Sequence, residues 1–378
     1  MLRPTSPRPR VRALRAALTG LALAVSACTS VMHPVPTDLD DVAQLRAESL
    51  ATSAAAIAGG VGNWGRYGAA WRRIEALGLS AHARSEWIDP WSLQRNIVIE
   101  IPGRSDRIVY LVANYDKVAH TPLRVVSQLL NGMFDSAFSL LPLTQGAVVN
   151  AGGVAVVLEH AARAAKGKPE LTYRILLPAL GEQGLRGTRA HLARLSAAEK
   201  ERVAIAIDVH GVGADWTGTC ISGDAGDPER ARFLRRALRR GDARIGISGS
   251  GQYPVSDYAA LRAWSFSQDV AMGVSHNLVG GLLPQRSWFG TPHAIPIAQL
   301  SACGVDDFYG QLSYLIPLPM GRVHGPRDSA ARLDPRRLWE AYEAVRVLVR
   351  EIEGSVERRA KEPEPTAPPD EPAGPAEP

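Results

Sequence analysis

Apolar residues recur at helical spacing from Asp38 to about Ile57 and from Trp64 to about Leu77, and each stretch follows turn or cap residues, which predicts two helices. The period then changes. Residues 95–103 and 107–113 are strand-like runs joined by the short polar turn Arg104-Ser105-Asp106, a hairpin signal. Helix Gly152–Lys166, strand Leu171–Leu177, helix Gly184–Leu195, strand Val203–Val209, helix Pro228–Arg240 and strand Arg244–Ile247 follow in alternation. The pattern predicts an α/β fold: a mixed, mostly parallel central sheet with helices on both faces, entered through one antiparallel hairpin. A last helix from Leu333 to about Arg359, with Leu338, Ala341, Tyr342, Val345, Leu348, Val349 and Ile352 on one side, closes a single domain over 41–360.

Three stretches stand outside this rhythm. The apolar insertion near 117–145 reads either as a helix over the sheet edge or as a docking lid for a membrane or a protein partner. Residues 361–378 are a Pro- and acid-rich tail with too little apolar surface to bury and are expected to be disordered. At the other end, five arginines and no acid precede the apolar run Ala16–Val25 and then Ser26-Ala27-Cys28. That order predicts a signal peptide over 1–27 with a lipobox, lipid on Cys28, and a tether over 28–40; the run is too short to span a bilayer. The implied location is the cell envelope, lipid-anchored on its periplasmic or extracellular side.

Removing residues 1–27 takes away those five arginines, so the formal net charge of +5 falls to zero. The basic balance of the whole chain therefore gives no support to nucleic-acid binding. With Cys28 assigned to lipid, Cys220 and Cys303 remain, and an oxidising compartment would permit their pairing if their backbones approach.

Several turns follow one another in a telling order. Asn96-Ile97-Val98-Ile99-Glu100-Ile101-Pro102-Gly103 resembles the strand NVIAEIPG, and Gly146-Ala147-Val148-Val149-Asn150-Ala151-Gly152-Gly153-Val154-Ala155 resembles GAxDNASGVA. Gly181-Glu182-Gln183-Gly184-Leu185-Arg186-Gly187-Thr188 looks like EExGLxGS, and Ala206-Ile207-Asp208-Val209 like NLDM. Ser256-Asp257-Tyr258 and Phe289-Gly290-Thr291-Pro292 look like the late SDH and YHTP turns. Together they resemble the di-zinc aminopeptidase family of metallopeptidase clan MH, relatives of bacterial leucyl aminopeptidase and nicastrin, with its phosphorylase/hydrolase-like zinc exopeptidase architecture.

What the resemblance implies about chemistry is mostly loss. In such enzymes two metal ions acidify a bridging water, and a carboxylate takes up its proton. Position by position, the first metal-binding His falls on Asn114, the bridging Asp on Val149, the general base on Gly181 and the last His on Gly290; only the ligand positions Glu182 and Asp208 are retained. A catalytic zinc needs about three protein ligands, so no metal is expected and no catalytic residue is assigned. His210, two positions after Asp208 on a strand, and His293, three past Gly290, are the available substitutes for a remodelled site, which would restore zinc. Asp116 reads as a turn-capping acid lining the site, and Glu182 as either a helix cap or a ligand. The expectation is a non-catalytic binding or scaffold module that takes a protein or peptide at its cleft or at the insertion. The alternative is an active metallopeptidase with a remodelled site.

Overall fold

The computed structural model describes residues 39–90, 92–117, 144–182, 186–216, 218–223, 246–247, 297–302 and 323–361. Helix α1 (Asp41–Ala58) is capped by the Asp40 carboxylate, which accepts from Ala43 N at 2.7 Å, and buries Ala47, Leu50, Ala54 and Ile57 along one face. Helix α2 (Gly62–Ala76) runs back beside it. The strands are β1 (Ala83–Trp87), β2 (Arg95–Ile101), β3 (Ile108–Val112), β4 (Thr172–Leu177), β5 (Val203–Val209), β6 (Thr219–Gly223), β7 (Gly246–Ile247) and β8 (Ile297–Ala302). A wide π-helical turn, Ala147–Gly152, leads into α3 (Gly153–Ala165); α4 (Arg186–Leu192), α5 (Ala197–Arg202) and the long α6 (Pro335–Lys361) complete the described helices.

The strands form one sheet in the order β1-β2-β4-β3-β5-β8-β6-β7. β3–β4, β3–β5, β5–β8 and β6–β7 are parallel; β1–β2, β2–β4 and β6–β8 are antiparallel. The mixed, mostly parallel α/β sheet is thus present. The expected hairpin is not. β4 lies between β2 and β3, pairing Ile99 with Ile175 on one side and Leu111 with Ile175 on the other. The turn after β2 is tied to the start of β4: Arg104 N donates to Pro169 O, Ser105 N to Glu170 O, and Thr172 N to Arg107 O. All of β3 and β4 is buried, and a strand apolar on both faces gains most from a neighbour on each edge and a layer on each face.

Those layers follow the strand alternation. Ile97, Ile99, Val109, Leu111, Ile175, Leu177 and Ile207 face the principal core with α1, α2, α3 and α6. Val98, Tyr110, Val112, Leu176 and Ala206 face a smaller core closed by Leu192 and Leu195. No described helix is long and apolar enough to cross a membrane. Helix Pro228–Arg240, the insertion over 118–143, the tail after 361 and residues 1–38 lie outside the described residues.

Candidate functional site

Because β3, β4 and β5 are parallel, their carboxyl ends emerge side by side, the usual site position in open α/β sheets. Val112 pairs with Leu176 and with Asp208, so the turns after β3 and β4 and the end of β5 meet there. Asn114, Asp116, Glu182, Asp208 and His210 are all buried at these ends.

The groups converge as hydrogen-bonded amides and carboxylates. Asn114 Nδ2 donates to Asp116 Oδ1 at 3.0 Å and to Glu182 Oε1 at 3.5 Å. Asn150 Nδ2 donates to the same Glu182 oxygen at 2.8 Å and to the carbonyl of Asp116 at 3.3 Å. The second Asp116 oxygen accepts from Glu182 N at 3.0 Å, and the Gly181 N–H also donates to Asp116, so this carboxylate closes the β4 turn. Burial raises the Asp116 pKa, against the pull of Asn114, these backbone donors and Arg66.

Beneath the cluster sits a cation with no part in the sequence argument. Arg66 of α2 is fully buried and donates to the carbonyls of Tyr115, Gln145 (2.7 Å) and Gly146 (3.1 Å). Burial lowers its pKa to about 10, while Asp116, Asp328 and Glu182 act to hold its charge. Lys117 donates to Thr144 O at 3.1 Å, and burial together with the Arg66 charge lowers it to about 8. Asp328 accepts from Val148 N at 2.8 Å, from Val149 N and from His324 N, each at 3.4 Å; burial raises it to about 6. The charges offset one another inside the protein.

The donor set does not fit a di-metal centre among the described residues. A metal needs lone pairs, but the Asn114 and Asn150 amides turn N–H groups toward Glu182 Oε1. Val149, where the resemblance expects a bridging carboxylate, is packed with Val148, Ala214, Ala302 and Val323. At Gly181 a Cβ would fall 2.6 Å from Asn114 Nδ2, so Asn114 fills the space where a side chain would begin. No group of three or more His, Cys, Asp or Glu with metal-holding geometry occurs among the described residues, so Glu182, Asp208 and His210 do not form one by themselves. Gly290, His293, Cys28 and Cys303 lie outside the described residues.

His210 Nδ1 is buried without a partner, and burial lowers the ring from its ordinary 6.5 to about 4. A neutral buried imidazole contributes its full stability above about pH 6.5, and that contribution is lost as pH falls toward 4, where the unfolded chain takes up the proton first. Replacing His210 with Gln is therefore expected to flatten the fall in urea midpoint between pH 6.5 and 4; an unchanged slope would contradict this assignment.

The sequence reasoning missed Asn150, Arg66, Lys117 and Asp328. Asn150 was visible beside Val149. Arg66 was visible as a charge in line with Ala70 and Ile74, which α2 buries. Asp328 was hidden because, apart from His324 four residues before it, the groups it holds are Val148 and Val149, some 180 residues away in sequence.

A sequence model of peptidase family M28 matches residues 96–266. Solved structures with the same fold include a glutaminyl cyclase from an Acidobacteriales bacterium, 13% identical, covering 85% of this chain and 98% of its own with a TM-score of 0.54. A leucine aminopeptidase precursor from Bacteroides thetaiotaomicron is 15% identical, with 84% and 98% covered and a TM-score of 0.52. BSAP, a zinc aminopeptidase from Bacillus subtilis, is 19% identical over 68% of this chain, with a TM-score of 0.45; the match spans 50% of the BSAP chain. No match is found among curated protein sequences.

Proposed function

We propose that the chain, whose residues 96–266 match the model of peptidase family M28, is a non-catalytic member of that family, held in the bacterial envelope by lipid on Cys28 and working as a binding or scaffold module. The observation that carries this reading is the pairing of Glu182 Oε1 with the Asn150 and Asn114 amides, with Asn114 filling the space beside Gly181. Each of the four changed positions removes something a hydrolase of this family requires. Asn114 replaces an imidazole ligand by an amide donor, Val149 replaces the bridging carboxylate by hydrocarbon, Gly181 removes the proton acceptor, and Gly290 removes a ligand. Asp116, Glu182 and Arg66 tie together the turns after β3 and β4. A protein or peptide is the ligand class this site would keep.

Metal analysis of protein purified without chelator is expected to find well under one equivalent of zinc or manganese, and aminoacyl-amide substrates are expected to stay intact. Two tightly held equivalents, or turnover abolished by chelation, would overturn the proposal. One observation favours a second reading: the unpartnered His210 Nδ1 could serve a remodelled single-metal peptidase site with His293, and one equivalent of metal lost in His210→Gln would select it. For the anchor, metabolic labelling with a radioactive fatty acid is expected to mark the wild-type chain and not Cys28→Ser.

A further inference from the structure

At the opposite end of β4, about 20 Å from the Asn114–Glu182 cluster at 3.3 Å per strand residue, α3, α6 and the loop before β4 line an open surface pocket of about 220 Å³. Its lining contains four cations, Arg163, Lys168, Arg346 and Arg350, against one acid, Glu353. Arg346 is clamped by Glu343, one helical turn away on α6. Arg163 is oriented by the Tyr342 hydroxyl at 3.4 Å. Among the described residues, Arg163, Lys168 and Arg350 form no salt bridge with a carboxylate.

Like charges drawn together from two helices and a loop repel unless something neutralises them. Two of them, Arg163 and Arg346, act on the buried His160, whose Nε2 meets Tyr342 O at 2.9 Å. Burial, with the Arg163 and Arg346 charges added, depresses that ring to about 3. Tyr173 supplies an aromatic wall. The volume is below the roughly 300–1,000 Å³ of clefts that take drug-sized molecules, and fits a small, highly charged group.

We propose that this pocket binds a multiply charged phosphate-type anion, through guanidinium forks from Arg163 and Arg350 and the ammonium of Lys168. Arginine offers paired N–H donors that match phosphate oxygens, and lysine adds a point charge. The same chemistry is presented by a free phosphorylated solute and by an anionic lipid headgroup. The site does not depend on the state of the Asn114–Glu182 cluster.

The test uses the full chain carrying Cys28→Ser, so that lipid modification plays no part. Calorimetric titration with inorganic pyrophosphate and flotation with phosphatidylcholine vesicles, with or without phosphatidylglycerol, separate the two sources. Lys168→Ala/Arg350→Ala removes two exposed cations from the pocket, and Arg72→Ala/Arg336→Ala removes two exposed cations elsewhere. The pocket pair is expected to weaken binding at least about tenfold, as loss of charge-assisted contacts implies, while the distant pair leaves it within about twofold. Glu353→Gln is expected to strengthen it. Pyrophosphate binding with this pattern identifies a free phosphorylated solute. Binding confined to phosphatidylglycerol vesicles with this pattern identifies a headgroup. Absence of binding to both probes, or equal weakening by the two pairs, overturns the proposal.

Discussion

Arg66→Met is expected to cost about 3–5 kcal/mol, the scale on which a buried charge is lost from its partners, and so to consume much of the roughly 5–15 kcal/mol that holds a typical domain. Methionine matches the length of the arginine stem and supplies no donor. The carbonyls of Tyr115, Gln145 and Gly146 would each lose an N–H inside the protein. Asp116 and Asp328, both buried, would lose the one guanidinium that acts on both. Arg66→Lys keeps the charge but cannot reach three carbonyls with a planar fork, so it should fall between wild type and Arg66→Met. Urea denaturation followed by circular dichroism measures both. A Met variant within about 1 kcal/mol of wild type, inside the range of an ordinary substitution, would show that Arg66 is not the keystone of these loops.

The variants should also respond differently to pH. Burial raises Asp328 from 3.8 to about 6, so it costs stability as pH rises from about 3.8 to about 6, and the loss is complete above that. Without Arg66 to hold the ionised form, that loss should continue to higher pH.

What the sequence made readable and what it hid divide along a physical line. Val203–Val209 and Gly153–Ala165 were readable because each is a long run of one periodicity with both flanks marked by turns. The arrangement of β2, β3 and β4 was not. The short turn Arg104-Ser105-Asp106 looks the same whether it joins neighbours or passes beneath an intervening strand, and only the later pairing with Thr172–Leu177 distinguishes them. Strand β1, Ala-Arg-Ser-Glu-Trp, lacks a buried face, and β8 offers six residues between stretches with no pattern. At the site, motif order pointed to Asn114, Gly181 and Glu182, which the fold brings together. The interaction that gives them meaning was not legible, because Asn150 and Glu182 stand 32 residues apart and nothing local marks the amide as their link.

Gly181→Glu, which writes in the carboxylate that the family resemblance expects at this position, is expected to destabilise the protein by several kcal/mol. The first added atom already meets Asn114 at 2.6 to 2.9 Å along its side chain, and Asn114 cannot withdraw without releasing Asp116 and Glu182. The rest of the side chain would bring a third carboxylate beside two that are already buried, where like charges cannot all remain ionised without large cost. Gly181→Ala isolates the steric part, about 1–3 kcal/mol for overpacking. Combined with Asn114→Gly, which empties the contested space, Gly181→Ala should cost markedly less than it does alone, an interaction of at least about 1 kcal/mol between the two sites. Additive effects in that cycle would mean that Gly181 and Asn114 changed independently. A strong favourable coupling would mean that Gly181 and Asn114 are one packing solution, in which neither position can take a larger side chain without the other being rebuilt.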